Sequence, residues 1–328
     1  MADASETSAF GQEVQGRGRV TSTDLIAGAV MFTLTTTAIL LGVLNVIAIK
    51  RLSVFHNAFG WFWATRTLGE IGSNIPLILY AVPMTILQPK DIPPELGIAC
   101  YSISHSLAYG ACVMHQIVSL NRCVAVCSPV RYHYIFSKRN CMILTSAVWI
   151  EVAIVGLLYH VFPCNLLGYS PQLYAFTYVK CSGTNPGHSA VGTMVNRVCF
   201  SFCALTASVD FITLIKIVRI HMRKVSKSVH FQREIRFFVQ SALQNITMMV
   251  ALTWIVWINN TKSHDTFLTA MTLDSIIIAH IVNALVLIVL NREVRSRFWK
   301  LVFFKGELSE SPVFQKNAVQ TISLQLRK

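Results

Sequence analysis

The sequence predicts an all-α membrane protein: a seven-transmembrane helix bundle with a short amphipathic eighth helix at the inner surface. Three observations predict it. The 328 residues are 53% hydrophobic and only 13% charged, whereas an ordinary soluble domain carries about 25% charged residues. Seven apolar runs follow one another, at 25–49, 59–82, 97–126, 141–162, 190–215, 237–258 and 267–290. Lys and Arg gather at one end of those runs.

Each run is long enough to cross a bilayer core of about 30 Å, which takes about 20 mostly apolar residues. Helices are required, because backbone N–H and C=O groups find no water partners in lipid. The first and sixth runs hold no Asp, Glu, Lys or Arg, and the third holds none before Arg122. With the N-terminus outside, the inner segments and the stretch just after the last run hold 18 Lys and Arg, and the outer segments hold 5. Basic residues favour the cytoplasmic side, so the expected arrangement is N-terminus outside and C-terminus inside, in the plasma membrane.

This distribution accounts for the net charge of +13 without nucleic acid. The basic rim suits anionic headgroups of the lipid bilayer and an acidic cytosolic partner. Residues 1–24 are polar and mixed, with no apolar signal segment. They read as an extracellular arm, with the bundle over 25–290. In 291–304, Val294, Phe298, Leu301 and Val302 share one helical face, as in a membrane-surface helix. Residues 305–328 read as a mobile cytoplasmic tail. The nine Cys include no C-x-x-C pair and no zinc-like spacing with His, so no metal and no cofactor is expected.

Ionisable residues inside membrane helices usually face the bundle interior. Arg66 and Glu70 lie one turn apart and can pair within their own helix. Glu151 in the middle of the fourth run, and Arg197 and Asp210 in the fifth, are further ionisable groups at membrane depth. A cleft open to the outside draws on His105 and Tyr109 in the third run, Trp254 and Trp257 in the sixth, and Asp274 in the seventh. They offer a mostly apolar wall with few polar contacts, as small-molecule sites require. Paired catalytic groups are lacking, since Asp210 and Asp274 lie at different depths; no enzyme is expected.

The third run ends Ser119-Leu-Asn-Arg-Cys-Val-Ala-Val-Cys-Ser-Pro-Val-Arg-Tyr132. Arg122, Ala125, Val126, Pro129, Arg131 and Tyr132 resemble the corresponding segment of rhodopsin-like G-protein-coupled receptors. Asn121 and Cys123 depart from it, standing where an acid and an aromatic residue are usual. An Arg here can tie helix ends together at rest and offer its donor fork to a partner when active. With Asn121 in place of the acid, the resting lock is expected to be weaker. Span seven lacks Asn-Pro-x-x-Tyr and any Lys, which excludes a retinal Schiff base. Spans five, six and seven lack Pro, so any hinge is expected elsewhere.

A finer set of pieces is Cys112-x-x-His115, Asp210-x-x-Thr213-x-x-Lys216, Glu234 to Gln244, His280-x-x-Asn283 and Asn291 to Arg295. Together they resemble nematode serpentine chemoreceptors of class x (Srx). The resemblance implies a chemosensory receptor that binds an external small molecule and activates a heterotrimeric G protein, in sensory cilia. A receptor for a neuropeptide or other internal signal is the alternative within the group. A transporter or ligand-gated channel is the alternative from another class. The resemblance assigns coupling to Asn121, Arg122, Pro129, Arg131, Tyr132, Lys216, Arg219, Arg223, Lys224, Arg236 and Asn291. It also implies a disulfide from the top of span three to the second outer loop, Cys100 with Cys181. Cys100 sits about one turn too near Arg122 for that pattern, which leaves Cys164 as the alternative partner.

Overall fold

The computed structural model describes residues 10–181, 189–222, 229–261, 265–291 and 294–295. Seven helices are long and apolar enough to cross a membrane: Ser22–Arg51, Ala58–Leu87, Pro94–Cys127, Lys138–Val161, Ala190–Ile220, Ile235–Ile258 and Thr266–Leu290. They are spans one to seven below. Most overrun the apolar stretches at one or both ends, because polar residues cap them outside the hydrocarbon. Thr21 and Asp24 form a capping box on span one, Asn57 accepts from the Gly60 N–H on span two, and Asp265 accepts from the Phe267 N–H on span seven. Such caps satisfy N–H groups that the helix itself leaves open.

Span three is the most buried of the seven and span four the least. Span three packs against spans two, four, five and six, and so forms the axis of the bundle. Large apolar side chains on the outer faces, such as Leu79, Leu157 and Phe211, stay exposed, as lipid-facing residues must. The irregular turn is in span two: after Pro76 the backbone widens into a π turn at Leu77–Ala81 before closing again at Val82–Leu87. A Pro removes one N–H from the ladder, and an inserted residue re-aims the helix beyond it.

A departure from the all-helical expectation lies between spans four and five, at the end of the bundle expected to face outward. Strand β1 (Leu167–Ser170) pairs antiparallel with β2 (Ala175–Tyr178), with Leu167 opposite Tyr178. Tyr169 on β1 is fully buried. It enters a cluster of Met31, Leu77, Ala81, Leu273 and Ile277 from spans one, two and seven, and its hydroxyl meets that of Thr85. The arm from Phe10 onward is tied down beside it. The buried Asp24 carboxylate pairs with Arg17 and accepts from Tyr174 at 2.7 Å and Gln88 at 2.8 Å. Burial, then the bond to Asp24, pushes the Tyr174 phenol above its ordinary range, which keeps it a donor. The arm and the hairpin together cover the outer mouth between spans one, two, three and seven.

The hairpin corrects the expected disulfide. Cys164 bonds to Cys181, with the Cα atoms 5.3 Å apart, and the Cys100–Cys181 pairing does not form. Extending the strand register three residues outward on both sides sets Cys164 opposite Cys181, so the bridge closes the hairpin base. Cys100 is instead a free, buried thiol whose S–H points to the Pro76 carbonyl of span two at 3.6 Å. A disulfide closing a loop of this size contributes about 3 kcal/mol. Cys181→Ser is therefore expected to lower the melting temperature of the detergent-solubilised protein clearly, and Cys100→Ala much less. Equal losses in the two variants would argue against the assignment.

The expected eighth helix at 291–304 lies outside the described residues except for Asn291, Val294 and Arg295. Arg223, Lys224 and the tail 305–328 also lie outside them.

Candidate functional site: the inner end of span three and the polar core above it

Arg122 sits at the inner end of span three, only 3% exposed. Its guanidinium lies over the ring of Phe59 of span two, 4.1 Å from the centroid, and 5.3 Å from that of Phe237 of span six. The two rings meet at 4.5 Å, and Phe55 extends the stack. The chain turns tightly into span two to bring this about. A Cβ on Gly60 would fall 1.9 Å from the Phe55 carbonyl oxygen, so only glycine fits there. A cation over aromatic faces is attracted by the ring quadrupole, by about 2 kcal/mol when desolvated.

Asn121 joins the same cluster. Its side-chain oxygen accepts from the Arg122 guanidinium, while its amide donates to the Tyr132 hydroxyl at 3.2 Å. Tyr132 belongs to a short helix, Pro129–Ile135, that forms the second inner loop. Pro129 suits its first position, where no N–H partner is needed. Tyr132 packs on Phe136, and Phe136 on Phe62 of span two. An amide and two aromatic faces are thus among the groups that hold Arg122. One turn outward, Ser119 donates to Asp210 of span five.

Of the other coupling candidates, Arg131, Lys216, Arg219 and Arg236 are exposed on the inner rim. Asn291 ends span seven, and its side chain accepts from the Val294 N–H at 3.3 Å. Sequence reasoning missed Phe55, Phe59 and Phe237, which read as ordinary lipid or core residues. It also missed Val130, which is 92% exposed on the inner-loop helix.

A second constellation lies about two helical turns farther into the membrane. Arg66 and Glu70 of span two pair at 2.8 Å, nearly enclosed, as their spacing suggests. Arg66 also donates to Gln244 of span six at 2.6 Å and lies 3.1 Å from Nδ1 of His115 on span three. Glu70 accepts from Asn283 of span seven at 2.8 Å. Asn74 lies 2.9 Å from Nδ1 of His280 on the same span, and Gln244 donates to the Asn283 carbonyl at 2.9 Å. Asn45 of span one reaches the Ala284 carbonyl at 3.1 Å. One buried ion pair thereby joins spans two, three, six and seven. Such bonds offset part of the cost of burying a charge pair in an apolar bundle, although Arg66 Nε, His115 Nε2 and Asn283 Oδ1 are buried without a hydrogen-bond partner among the described residues.

Residues 32–291 match the family described as serpentine type 7TM GPCR chemoreceptor Srx. The chain belongs to this family. No curated protein matches it. The Srx match runs from within span one to Asn291 and includes both constellations. His115, Gln244, His280 and Asn283, scattered through the Srx-like pieces of the sequence, meet around Arg66 and Glu70. This Srx receptor is therefore a multi-pass membrane protein and a chemoreceptor of the G-protein-coupled type.

The five outer candidates fall into separate local contacts. Tyr109 donates to Glu151 of span four at 2.6 Å. His105 stacks on Tyr101 and lies 3.3 Å from the Tyr159 hydroxyl of the same span. Both therefore face the junction of spans three and four. Trp254 and Trp257 contact each other at 5.1 Å, and Trp257 is half exposed on the outer face of span six. Asp274 lies close enough to Tyr169 that its charge, after burial, helps hold the Tyr169 phenol above its ordinary range.

Proposed function

We propose that this Srx receptor binds an external small molecule and activates a heterotrimeric G protein through the inner end of span three. The observation that carries the reading is the placement of Arg122. It is held by Asn121 and by rings from spans two and six, at the place where a cytosolic partner would meet the bundle. Separation of span six from span three would withdraw Phe237 and free the guanidinium to donate to the partner's backbone. Ligand binding shifts the population toward that open state.

The coupling face combines Arg122 with Pro129, Arg131, Tyr132, Lys216, Arg219, Arg223, Lys224, Arg236 and Asn291. Val130 adds an apolar contact on the inner-loop helix. The excess of Lys and Arg supports an outside N-terminus in the plasma membrane, and the family supports a site in sensory cilia. A ligand arriving from outside would meet the hairpin, whose Tyr169 packs among residues of spans one, two and seven, and Asp274 on span seven is one outer candidate. His105, Tyr109, Trp254 and Trp257 remain candidates on either side of it.

The test is to express the receptor with a panel of G-protein α subunits, screen volatile and water-soluble chemicals, and repeat with Arg122→Ala. The variant is expected to reach the surface and lose the response to ligand. A response of unchanged size at equal surface density would remove Arg122 from the coupling role.

A further inference from the structure

All nine cysteines fall within the described residues, and seven of them are free. Five of those, Cys100, Cys112, Cys141, Cys199 and Cys203, are buried, while Cys123 and Cys127 are half-buried. These two lie one turn apart at the inner end of span three, with their sulfurs 4.0 Å apart. Cys127 is the last residue of the helix. The inner-loop helix that follows begins at Pro129 and carries the exposed Val130. No cysteine follows Cys203 in the sequence.

We propose that Cys123 and Cys127 are a modification site that takes a long-chain fatty acyl group as a thioester. Thiols beside the cytoplasmic end of a membrane helix are the usual substrates for such chemistry. Two features of this pair favour it. The sulfurs are reachable, unlike those of the other free cysteines. Cys127 also ends a membrane span, so an acyl chain attached there would start at the edge of the hydrocarbon. A lasting disulfide is the competing fate of two neighbouring thiols, and a reducing cytosol opposes it.

In the reaction, the cysteine thiol gives up its proton and its sulfur attacks the carbonyl carbon of an acyl-coenzyme A thioester. The new carbon–sulfur bond forms as the bond to coenzyme A breaks. Coenzyme A leaves as the thiolate and takes up a proton, so nothing is oxidised or reduced. Each methylene buried in lipid adds about 0.8 kcal/mol of membrane affinity. The chain would therefore pin the end of span three, and the start of the coupling loop, to the inner leaflet. The inference rests on the inner end facing the cytosol.

The experiment uses the full-length receptor purified from cells. Trypsin releases Cys123–Arg131, which contains both thiols and no other cysteine. Mass spectrometry without reduction is expected to find this peptide carrying one or two acyl chains, removed by neutral hydroxylamine. In parallel, hydroxylamine-dependent thiol labelling of the intact receptor is expected to fall to background in Cys123→Ser/Cys127→Ser and to stay at the wild-type level in Cys141→Ser. A wild-type peptide found only as free thiols, or as a disulfide opened by a reducing agent, would overturn the proposal. So would labelling that persists in the double variant. The peptide mass decides the matter even if the double variant fails to fold. Accessibility of an N-terminal epitope tag on intact cells reports the orientation separately.

Discussion

Arg66→Ala is expected to abolish surface expression of the receptor, or to leave a protein that unfolds well below the wild type in detergent. The substitution strands Glu70 as a buried carboxylate facing Asn283, and it removes a partner from both His115 and Gln244. Taking one member from a buried ion pair costs about 3–5 kcal/mol, because the other charge stays desolvated. That is a large part of the net stability of about 5–15 kcal/mol of a typical fold. The double variant Arg66→Met/Glu70→Gln removes both charges while keeping much of the volume, so it is expected to recover part of the loss. Surface density by epitope staining and melting temperature in detergent read both variants. A single variant as stable as the wild type would show that the pair does not hold the spans together. A double variant no better than the single would show that the uncompensated charge is not the cause.

Phe237→Leu is expected to raise signalling in the absence of ligand, with Phe59→Leu acting in the same direction. Leucine fills most of the space but has no ring face for Arg122. Phe59 is the nearer ring, yet it sits on span two. Phe237 sits on span six, so its loss loosens the contact that must open. A cation–π contact of about 1–2 kcal/mol corresponds to about a tenfold change in the ratio of open to closed states, since 1.4 kcal/mol is a factor of ten. Basal second-messenger output, compared at equal surface density, measures it. Combining Phe237→Leu with Arg122→Ala is expected to return the output to background, because the residue released is then absent. Basal output at or below the wild-type level in Phe237→Leu alone would mean that the rings do not restrain the receptor.

These expectations differ in how much of them the sequence foreshadows. The Arg66–Glu70 pair is visible from its spacing alone, because residues four apart on a helix face one another. Its reach to His115, Gln244, Asn283 and His280 is not visible. Those residues appear in the sequence only as family-like fragments, and nothing local states that they share one depth. The rings around Arg122 were hidden for a related reason. Phe59 and Phe237 belong to apolar runs in which an aromatic residue facing lipid and one facing the bundle look alike. The disulfide was misassigned because the family pattern spoke for Cys100, while the hairpin register that joins Cys164 to Cys181 is carried by short strands between two spans. Alternation over Gly168 to Ser170 and Ala175 to Tyr178 was the available signal, and it is faint beside the membrane runs.

The sequence by itself determined the number of spans, their approximate ends and the basic inner rim. Each depends on a local quantity: the length of an apolar stretch set against the thickness of hydrocarbon, and the sign of charge next to it. It also marked Arg122, because an arginine followed at fixed spacing by Pro129 and Tyr132 is itself a local pattern. Tertiary structure alone decided which side chains meet. In a helix apolar on nearly all sides, composition fixes neither the rotation about its axis nor its depth against its neighbours. Only packing sets those two variables, and they bring Phe59 and Phe237 to Arg122, gather four spans around Arg66 and Glu70, and turn His105 and Tyr109 toward span four.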